Sequence, residues 1–516
     1  MRNKRGKGYW IGYGVVQCVV LILLILTFSL MWAKKNYGSI GMAEILFTLN
    51  MPLKGTSDSF LKSYAAEALL PVLGVFAVDL MFTFPGKGKL KKSSLWLRGT
   101  ASLLILAVWA NILIQEADKA FGMIDFLRNQ VERSEFIENE YVDAGDVELT
   151  FPLKKRNIIL IYVESGESSN QDVSSGGYFD TNYIPEMTEI ARENVSFSQS
   201  HLIEGAVVAP ACGWTMAGLV ANTAGLPLKL FKYDDKNDFD NSMGNYASFL
   251  PGVTTLGDIL KEAGYTNYFM AGSDFEFGGR ESYFTQHGDY QIWDYNTAMD
   301  EGRIDKDYYV WWGFEDMKLY EYAKEELLEI AGKGEPFNFS MLTADTHHVA
   351  GYRCELCPED YEDQYANVWA CASRQLNDFV EWVKQQDFYE NTTIVIAGDH
   401  CSMDPNFYGD LSYDKHHGEV ERKIYNAIIH PAVRPYREKY RKFTTMDMFP
   451  TALASLNRFP MALAAMGVKI EGDRLGLGTN LFSREETLAE KYGYEVLFDE
   501  LDRKSAFYNK ELLYVK

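Results

Sequence analysis

Three apolar runs of this sequence end in side chains that bind metals or move protons. "IILIYVE" ends in Glu164, "TIVIAGD" ends in Asp399 with His400 next, and "FSMLTADTHH" delivers Asp345, His347 and His348. A further stretch, "GWTMAG", sets Thr215 at what reads as the mouth of a helix. Unpaired backbone N–H groups and the helix dipole favour an alkoxide there and, beside it, a phosphate. One divalent metal held by Glu164, Asp399 and His400 would lower the hydroxyl pKa further and make Thr215 a nucleophile. Each residue also has an ordinary reading. Glu164 could cap a helix after Ser165, Asp399 could close a turn, and either histidine could be a satisfied core residue. Thr215, on its own stretch alone, reads more readily as an N-cap. The chemical reading rests on the set, because three apolar strands ending in metal-type ligands are an unusual coincidence.

The elements that must hold these residues are short β-rich runs alternating with helical patterns. Residues 156–165, 266–273, 336–345 and 391–400 read as strands, and 254–264 and 366–386 as helices. Such alternation indicates an α/β fold with a mainly parallel sheet and helices on both faces. Ligands bind such sheets beyond the carboxyl ends of the strands, where the candidate residues fall. Internal repeats, low-complexity tracts and a Gly-rich phosphate loop are lacking. Residues 151–485 form the expected catalytic domain, 116–150 a polar linker and 486–516 a C-terminal tail.

The first 115 residues read differently. The chain has 516 residues and a net charge of −22, yet its first 120 residues hold 14 Lys/Arg against 6 Asp/Glu. No basic run in the acidic bulk could neutralise a phosphate backbone, which excludes nucleic acid as a partner. Gly8 to Ala33 is uncharged and apolar enough to cross a bilayer. A cleaved signal peptide would have a shorter apolar core and a small-residue cleavage site. Tyr64 to Phe84 is a weaker second span, carrying Glu67, Pro71 and Asp79, and Leu95 to Ile114 is a stronger third. Lysines and arginines before the first span, and Lys87, Lys89, Lys91, Lys92 and Arg98 between the second and third, belong inside. Three crossings of the cell membrane then leave everything after about residue 116 extracytoplasmic, on the outer face or in the periplasm. Oxidising conditions there permit a bridge from Cys371 to Cys354 or Cys357, which ranks above a zinc knuckle because no second Cys-x-x-Cys exists. The stretch Lys415-His416-His417-Gly418 reads as an exposed loop rather than a second shell to the site.

"NIILIYVES", "GWTMAG", "TLGDILKEAGY", "THH", "AGDH" and "TTMDMFPTAL" together resemble the alkaline phosphatase and sulfatase superfamily. The likeness is to its membrane-anchored phosphoglycerol transferases, which include lipoteichoic acid synthases and enzymes that decorate periplasmic glucans. "EILFTLNMPLKG" and "RLGLGTNLFS" extend it over nearly the whole chain. The resemblance implies an alkaline-phosphatase-like sheet flanked by helices and preceded by a transmembrane region. It implies Mn²⁺, with Mg²⁺ or Zn²⁺ as alternatives, bound by Glu164, Thr215, Asp399 and His400. Thr215 would be the nucleophile and His347 would serve the substrate or leaving group, while Arg280 and His348 would bind substrate. The implied donor is phosphatidylglycerol, and the acceptor a glycan or a glycerolphosphate polymer.

The sequence also departs from that pattern. Lipoteichoic acid synthases have a tryptophan close to the arginine, where this chain has Phe277, Gly278 and Gly279, and they have five membrane helices where this chain shows three. A formylglycine sulfatase is excluded, because Trp214 and Met216 stand where Cys212 would need Pro and Arg. A phosphoethanolamine transferase of the same superfamily remains the enzymatic rival, and an inactive envelope lipid- or glycan-binding relative the non-enzymatic one.

Overall fold

The computed structural model describes residues 7–37, 41–49, 58–84, 92–229, 249–408, 422–456 and 471–513. They divide into two compact units, Met1–Met42 with Thr56–Asp125, and Ala43–Gly55 with Phe126–Lys516. The lysine-rich connection at residues 85–91 and the Lys415–Gly418 stretch lie outside the described residues.

The smaller unit is built on three helices long and apolar enough to cross a membrane: Gly8–Asn36, Phe60–Thr83 and Thr100–Phe121. The second is the more apolar of the last two, reversing the order expected from its Glu67, Pro71 and Asp79. Pro71 is accommodated because the π-helical turn Ala65–Leu69 directly precedes it, loosening the i to i−4 ladder at the point where its missing N–H and ring would otherwise break the helix. Glu67 pairs with Lys35 at 2.7 Å. Polar side chains join the helices within this unit: Trp32 Nε1 donates to Ser63 Oγ at 3.0 Å and Trp109 Nε1 to Thr27 Oγ1 at 3.1 Å.

The larger unit carries a six-stranded sheet of order β3-β2-β4-β1-β5-β6. The strands are β1 (Asn157–Val163), β2 (Thr266–Ala271), β3 (Gln291–Trp293), β4 (Phe337–Leu342), β5 (Thr392–Gly398) and β6 (Asn426–Ile429). All pairings are parallel except that of β5 with β6. Four strands match the sequence reading; β3 and β6, the two edges, are additional. Every residue of β1, β4 and β5 is buried, as expected of parallel strands covered on both faces and written as unbroken apolar runs. Ile159, Ile161, Phe339 and Ile396 pack against a layer that includes Leu319, Trp369 and Phe379. Trp369 and Phe379 belong to the helix Gln364–Lys384, whose N-cap Asp363 accepts from the N–H groups of Tyr365 and Ala366.

Two backbone approaches position the functional end of the sheet. β1 and β5 pair with Val163 opposite Gly398, so the next residues, Glu164 and Asp399, leave the sheet side by side. The helix Thr215–Ala224, α1 of the catalytic architecture, lies directly on this end: a Cβ on Gly218 would stand 2.1 Å from the Asp399 carbonyl oxygen. Backbone cannot yield as a side-chain tip can. Gly218→Ala should therefore lower stability by about 1–3 kcal/mol, the cost of overpacking a filled interior. Gly332→Ala, with nothing within 4 Å of the new Cβ, should leave it unchanged or slightly raised. Chemical denaturation of the two variants beside the parent chain checks the contrast.

Candidate active site

Glu164 emerges from β1 with its backbone held on both sides. Its N–H donates to Thr343 Oγ1 at 3.0 Å, and its carbonyl accepts from Thr346 Oγ1 at 2.5 Å. Ser165 adopts a left-handed conformation, φ 56°, uncommon for a residue with a Cβ. That conformation has a result: Ser165 Oγ donates to Glu164 Oε1 at 3.0 Å while its N–H donates to Asp399 Oδ1 at 2.8 Å. The His400 N–H reaches the same Asp399 oxygen at 2.8 Å, and His400 Nδ1 meets the Cys401 carbonyl at 2.8 Å. A ring nitrogen bonded to a carbonyl must carry the proton, which leaves Nε2 facing the carboxylates. Nε2 lies 3.3 Å from Glu164 Oε1 and 3.6 Å from Asp399 Oδ2.

Thr215 completes this group. It is the first residue of α1, and Trp214 occupies the N-cap with no side-chain capping bond, so the N-cap reading of Thr215 is not met. Its Oγ1 stands 3.3 Å from both Glu164 Oε2 and His400 Nε2. The rest of α1 is buried, whereas Thr215 is half-buried, leaving its hydroxyl within reach of a ligand. Cys212 is fully buried and its thiol is pushed up by burial, which unsuits it to nucleophilic work.

Glu164, Asp399 and His400 offer ligand atoms within 4.8 Å of one another, and all three residues are buried. Burial acts to raise the Glu164 pKa, but the charge of His400, its contact with the carboxylate and His347 outweigh burial and hold it low. Asp399 moves the other way, raised by burial and by the Glu164 charge. Burial disfavours a charged His400, yet Asp399 and Glu164 raise it to about 10. Two adjacent buried carboxylates thus draw positive charge towards themselves. Asp399 Oδ2 is buried and accepts no hydrogen bond among the described residues, which fits a cation better than it fits a closed polar network. Carboxylate oxygens with one imidazole suit Mn²⁺ or Mg²⁺, and also Zn²⁺.

The flanking residues divide. His347 Nδ1 meets the His348 carbonyl at 2.6 Å, and its ring lies 4.7 Å from that of Trp312. Its pKa is lowered, first by burial, with His400 and Arg280 adding to the effect against the pull of Glu164. His348 stacks on His347 at 4.6 Å and is also shifted down by burial. Asp345, from the same strand end, stays out of the carboxylate–histidine cluster, and neither of its carboxyl oxygens has a hydrogen-bond partner among the described residues. Arg280 begins the helix Arg280–Gln286 after Gly278 and Gly279, whose φ values of 75° and 72° turn the chain sharply. It is only 5% exposed, not a solvated turn residue. Its Nε and Nη2 donate to the carbonyls of Phe277 (2.9 Å) and Asp274 (2.7 Å), leaving Nη1 without a protein partner among the described residues. Glu164 and Asp399 both act on its charge, so it faces the cluster.

Sequence reasoning missed three contributors. Ser165 bridges the two carboxylates. Trp312 packs its ring 5.3 Å from Phe277, supplying in space an aromatic group that the residues next to Arg280 lack in sequence. Glu167 and Arg422, both buried, form a bidentate pair behind the loop after His400; Glu167 also accepts from the Ser402 N–H at 2.7 Å. Only the glutamate spacing in "YVESGE" hinted at any of these.

Residues 156–457 match the family model described as Sulfatase. The chain belongs to the sulfatase family. It is 34% identical to phosphoglycerol transferase I of Xanthomonas campestris pv. campestris (strain B100) over 316 residues, 59% of this chain and 41% of the relative. It is 26% identical to phosphoglycerol transferase I of Salmonella paratyphi B over 415 residues, 78% of this chain and 50% of that one. The chain therefore matches half or less of the length of these curated relatives. The sulfatase-family fold also superposes on the lipooligosaccharide phosphoethanolamine transferase A of Neisseria meningitidis, with TM-score 0.50 and 12% identity over 85% of this chain and 84% of that one. Family and architecture thus agree: an alkaline-phosphatase-like mixed sheet, mostly parallel, and apolar N-terminal helices that could span a membrane.

The buried pair behind the site gives a test of its support. Arg422→Met should cost about 3–5 kcal/mol, because it strands the Glu167 charge in the interior, whereas Glu167→Leu with Arg422→Met should cost much less. Urea denaturation of the single and double variants measures the difference.

Proposed function

We propose that this protein transfers a phosphoglycerol group from phosphatidylglycerol to an envelope glycan or polyglycerolphosphate acceptor, on the extracytoplasmic side of the membrane in which residues 1–115 anchor it. The observation that carries this reading is the Thr215 hydroxyl, half-buried at a helix start and 3.3 Å from both Glu164 and His400. The likeness to proteins named phosphoglycerol transferase I supports the choice of group.

Glu164, Thr215, Asp399 and His400 would hold one divalent cation, Mn²⁺ by preference, which supplies Lewis-acid stabilisation of negative charge on oxygen. Thr215 Oγ1 gives its proton to Glu164 Oε2, 3.3 Å away, and attacks the phosphorus of the lipid; the bond to the diacylglycerol oxygen breaks, and a glycerol-phospho-threonine remains. An acceptor hydroxyl then attacks that phosphorus and the threonine oxygen departs, taking its proton back. With Nδ1–H fixed on the His348 carbonyl, His347 presents Nε2 for proton exchange. Protonated, it gives a proton to the leaving diacylglycerol oxygen; neutral, it takes one from the acceptor hydroxyl. Its lowered pKa makes the protonated form a readier proton donor. Arg280 Nη1 binds a phosphate oxygen, and Trp312 with Phe277 forms an aromatic wall beside it.

Thr215→Ala should abolish transfer with the fold intact, and Thr215→Ser should restore part of it. Asp399→Ala should lose about one equivalent of divalent metal relative to the parent chain. Radiolabelled-donor turnover and elemental analysis read these outcomes; full activity of Thr215→Ala, or unchanged metal in Asp399→Ala, would remove the assignments.

The donor is tested by competition between headgroup-labelled phosphatidylglycerol and phosphatidylethanolamine. A buried guanidinium binds phosphate but repels an ethanolamine ammonium brought close to it, so glycerol label should move preferentially. Arg280→Ala should weaken that transfer by roughly 1–3 kcal/mol, the scale of a hydrogen bond to a charged group. Preferential ethanolamine transfer would instead assign the rival activity.

A further inference from the structure

Three cysteines lie on the segment that leads from β4 to the helix Gln364–Lys384. Cys354 and Cys357 form a tight turn closed by the Cys357 N–H on the Cys354 carbonyl at 3.2 Å, and Cys371 stands within the helix. The bridge expected from the sequence is not formed, and all three are free thiols. Cys354 Sγ lies 3.7 Å from Cys357 Sγ and 3.8 Å from Cys371 Sγ, and the three sulfurs are mutually within 4.8 Å. A disulfide joins two sulfurs and leaves the third without a role. Zinc at a Zn–S distance of ~2.3 Å in a tetrahedron sets its sulfurs ~3.8 Å apart, which uses all three.

A neighbouring side-chain amide is directed at two of the sulfurs. Gln375 Nε2 donates to Cys371 Sγ at 3.2 Å and reaches Cys354 Sγ at 3.7 Å. A donor shared by two sulfurs stabilises the negative charge that a soft metal requires and orients its ligands. Cys354 and Cys371 are buried while Cys357 is half-buried, so the cluster is sheltered but opens to solvent on one side.

We propose that Cys354, Cys357 and Cys371 bind one structural Zn²⁺, with water in the fourth position beside Cys357. This centre is separate from the oxygen-rich cluster of Glu164, Asp399 and His400, and its sulfur donors select a different kind of metal. It fastens the loop carrying His347 and His348 to the first turns of the helix Gln364–Lys384. It adds to the hydrogen bonds that tie this loop to the helix, Tyr365 Oη on the Thr346 carbonyl at 2.6 Å and Gln364 Nε2 on the Ala350 and Gly351 carbonyls at 3.1 Å.

The test uses the full-length protein, purified in detergent without reductant. Elemental analysis should find about one equivalent of zinc that is lost in Cys357→Ser and in Cys371→Ser but kept in Asp399→Ala. Iodoacetamide labelling of the parent chain, denatured in chelator without reductant, should modify all three thiols by mass spectrometry, a reading independent of whether the variants fold. Cobalt loaded in place of zinc should give a sulfur-to-metal charge-transfer band that Cys357→Ser lacks. Two thiols that label only after reduction would establish a bridge and overturn the zinc centre. Equal zinc in the parent chain and both cysteine variants, or none in any, would overturn it as well.

Discussion

Two carboxylates held side by side away from water repel each other, and much of the structure around them answers that repulsion. The parallel register of β1 and β5 makes the arrangement unavoidable, since Val163 opposite Gly398 sends Glu164 and Asp399 out of the sheet together. Each charge is met by groups brought from elsewhere: N–H donors from Ser165 and His400, the imidazole of His400, the hydroxyl of Thr215 and, further off, the guanidinium of Arg280. A site whose acids are balanced in this way sets positive groups close beside them, where the proposed phosphate would sit.

The central strands were legible because burial on both faces writes an unbroken apolar run, and such runs end abruptly where the chemistry begins. The edge strands were not. β3 has three residues and β6 four, too few for a pattern, and each gains strand geometry only by pairing with a longer neighbour. The ordinary alternative for Thr215, an N-cap, could not be told apart locally for a related reason. Thr215 lies one residue inside the position its type favours, with Trp214 as the N-cap, and no local signal separates the two registers. Trp312 and Arg422 reach the site through topology, across separations that no short motif spans. The second apolar helix was undervalued because Pro71 and Glu67 look costly in sequence, but a π-helical turn before the proline and a lysine partner lessen the cost.

The cysteines show the converse difficulty. Their spacing was plain, and the compartment inferred from charge favoured a bridge, yet spacing cannot say how many sulfurs meet or what points at them. The third sulfur and Gln375 are visible only once the loop is folded against the helix.

The contact of Gly218 with the Asp399 carbonyl joins the helix of the proposed nucleophile to the carboxylate through main chain alone. Arg280, Trp312 and His347 instead hang from connections that follow β2, precede β4 and follow β4, where length and composition can drift without disturbing the sheet. Such a scaffold separates two evolutionary problems. The reacting oxygen and its counter-charges are inherited as one rigid piece, and new headgroups or acceptors can be explored by editing loops around it. Within one family, divergence in what is carried would then outpace divergence in how it is transferred.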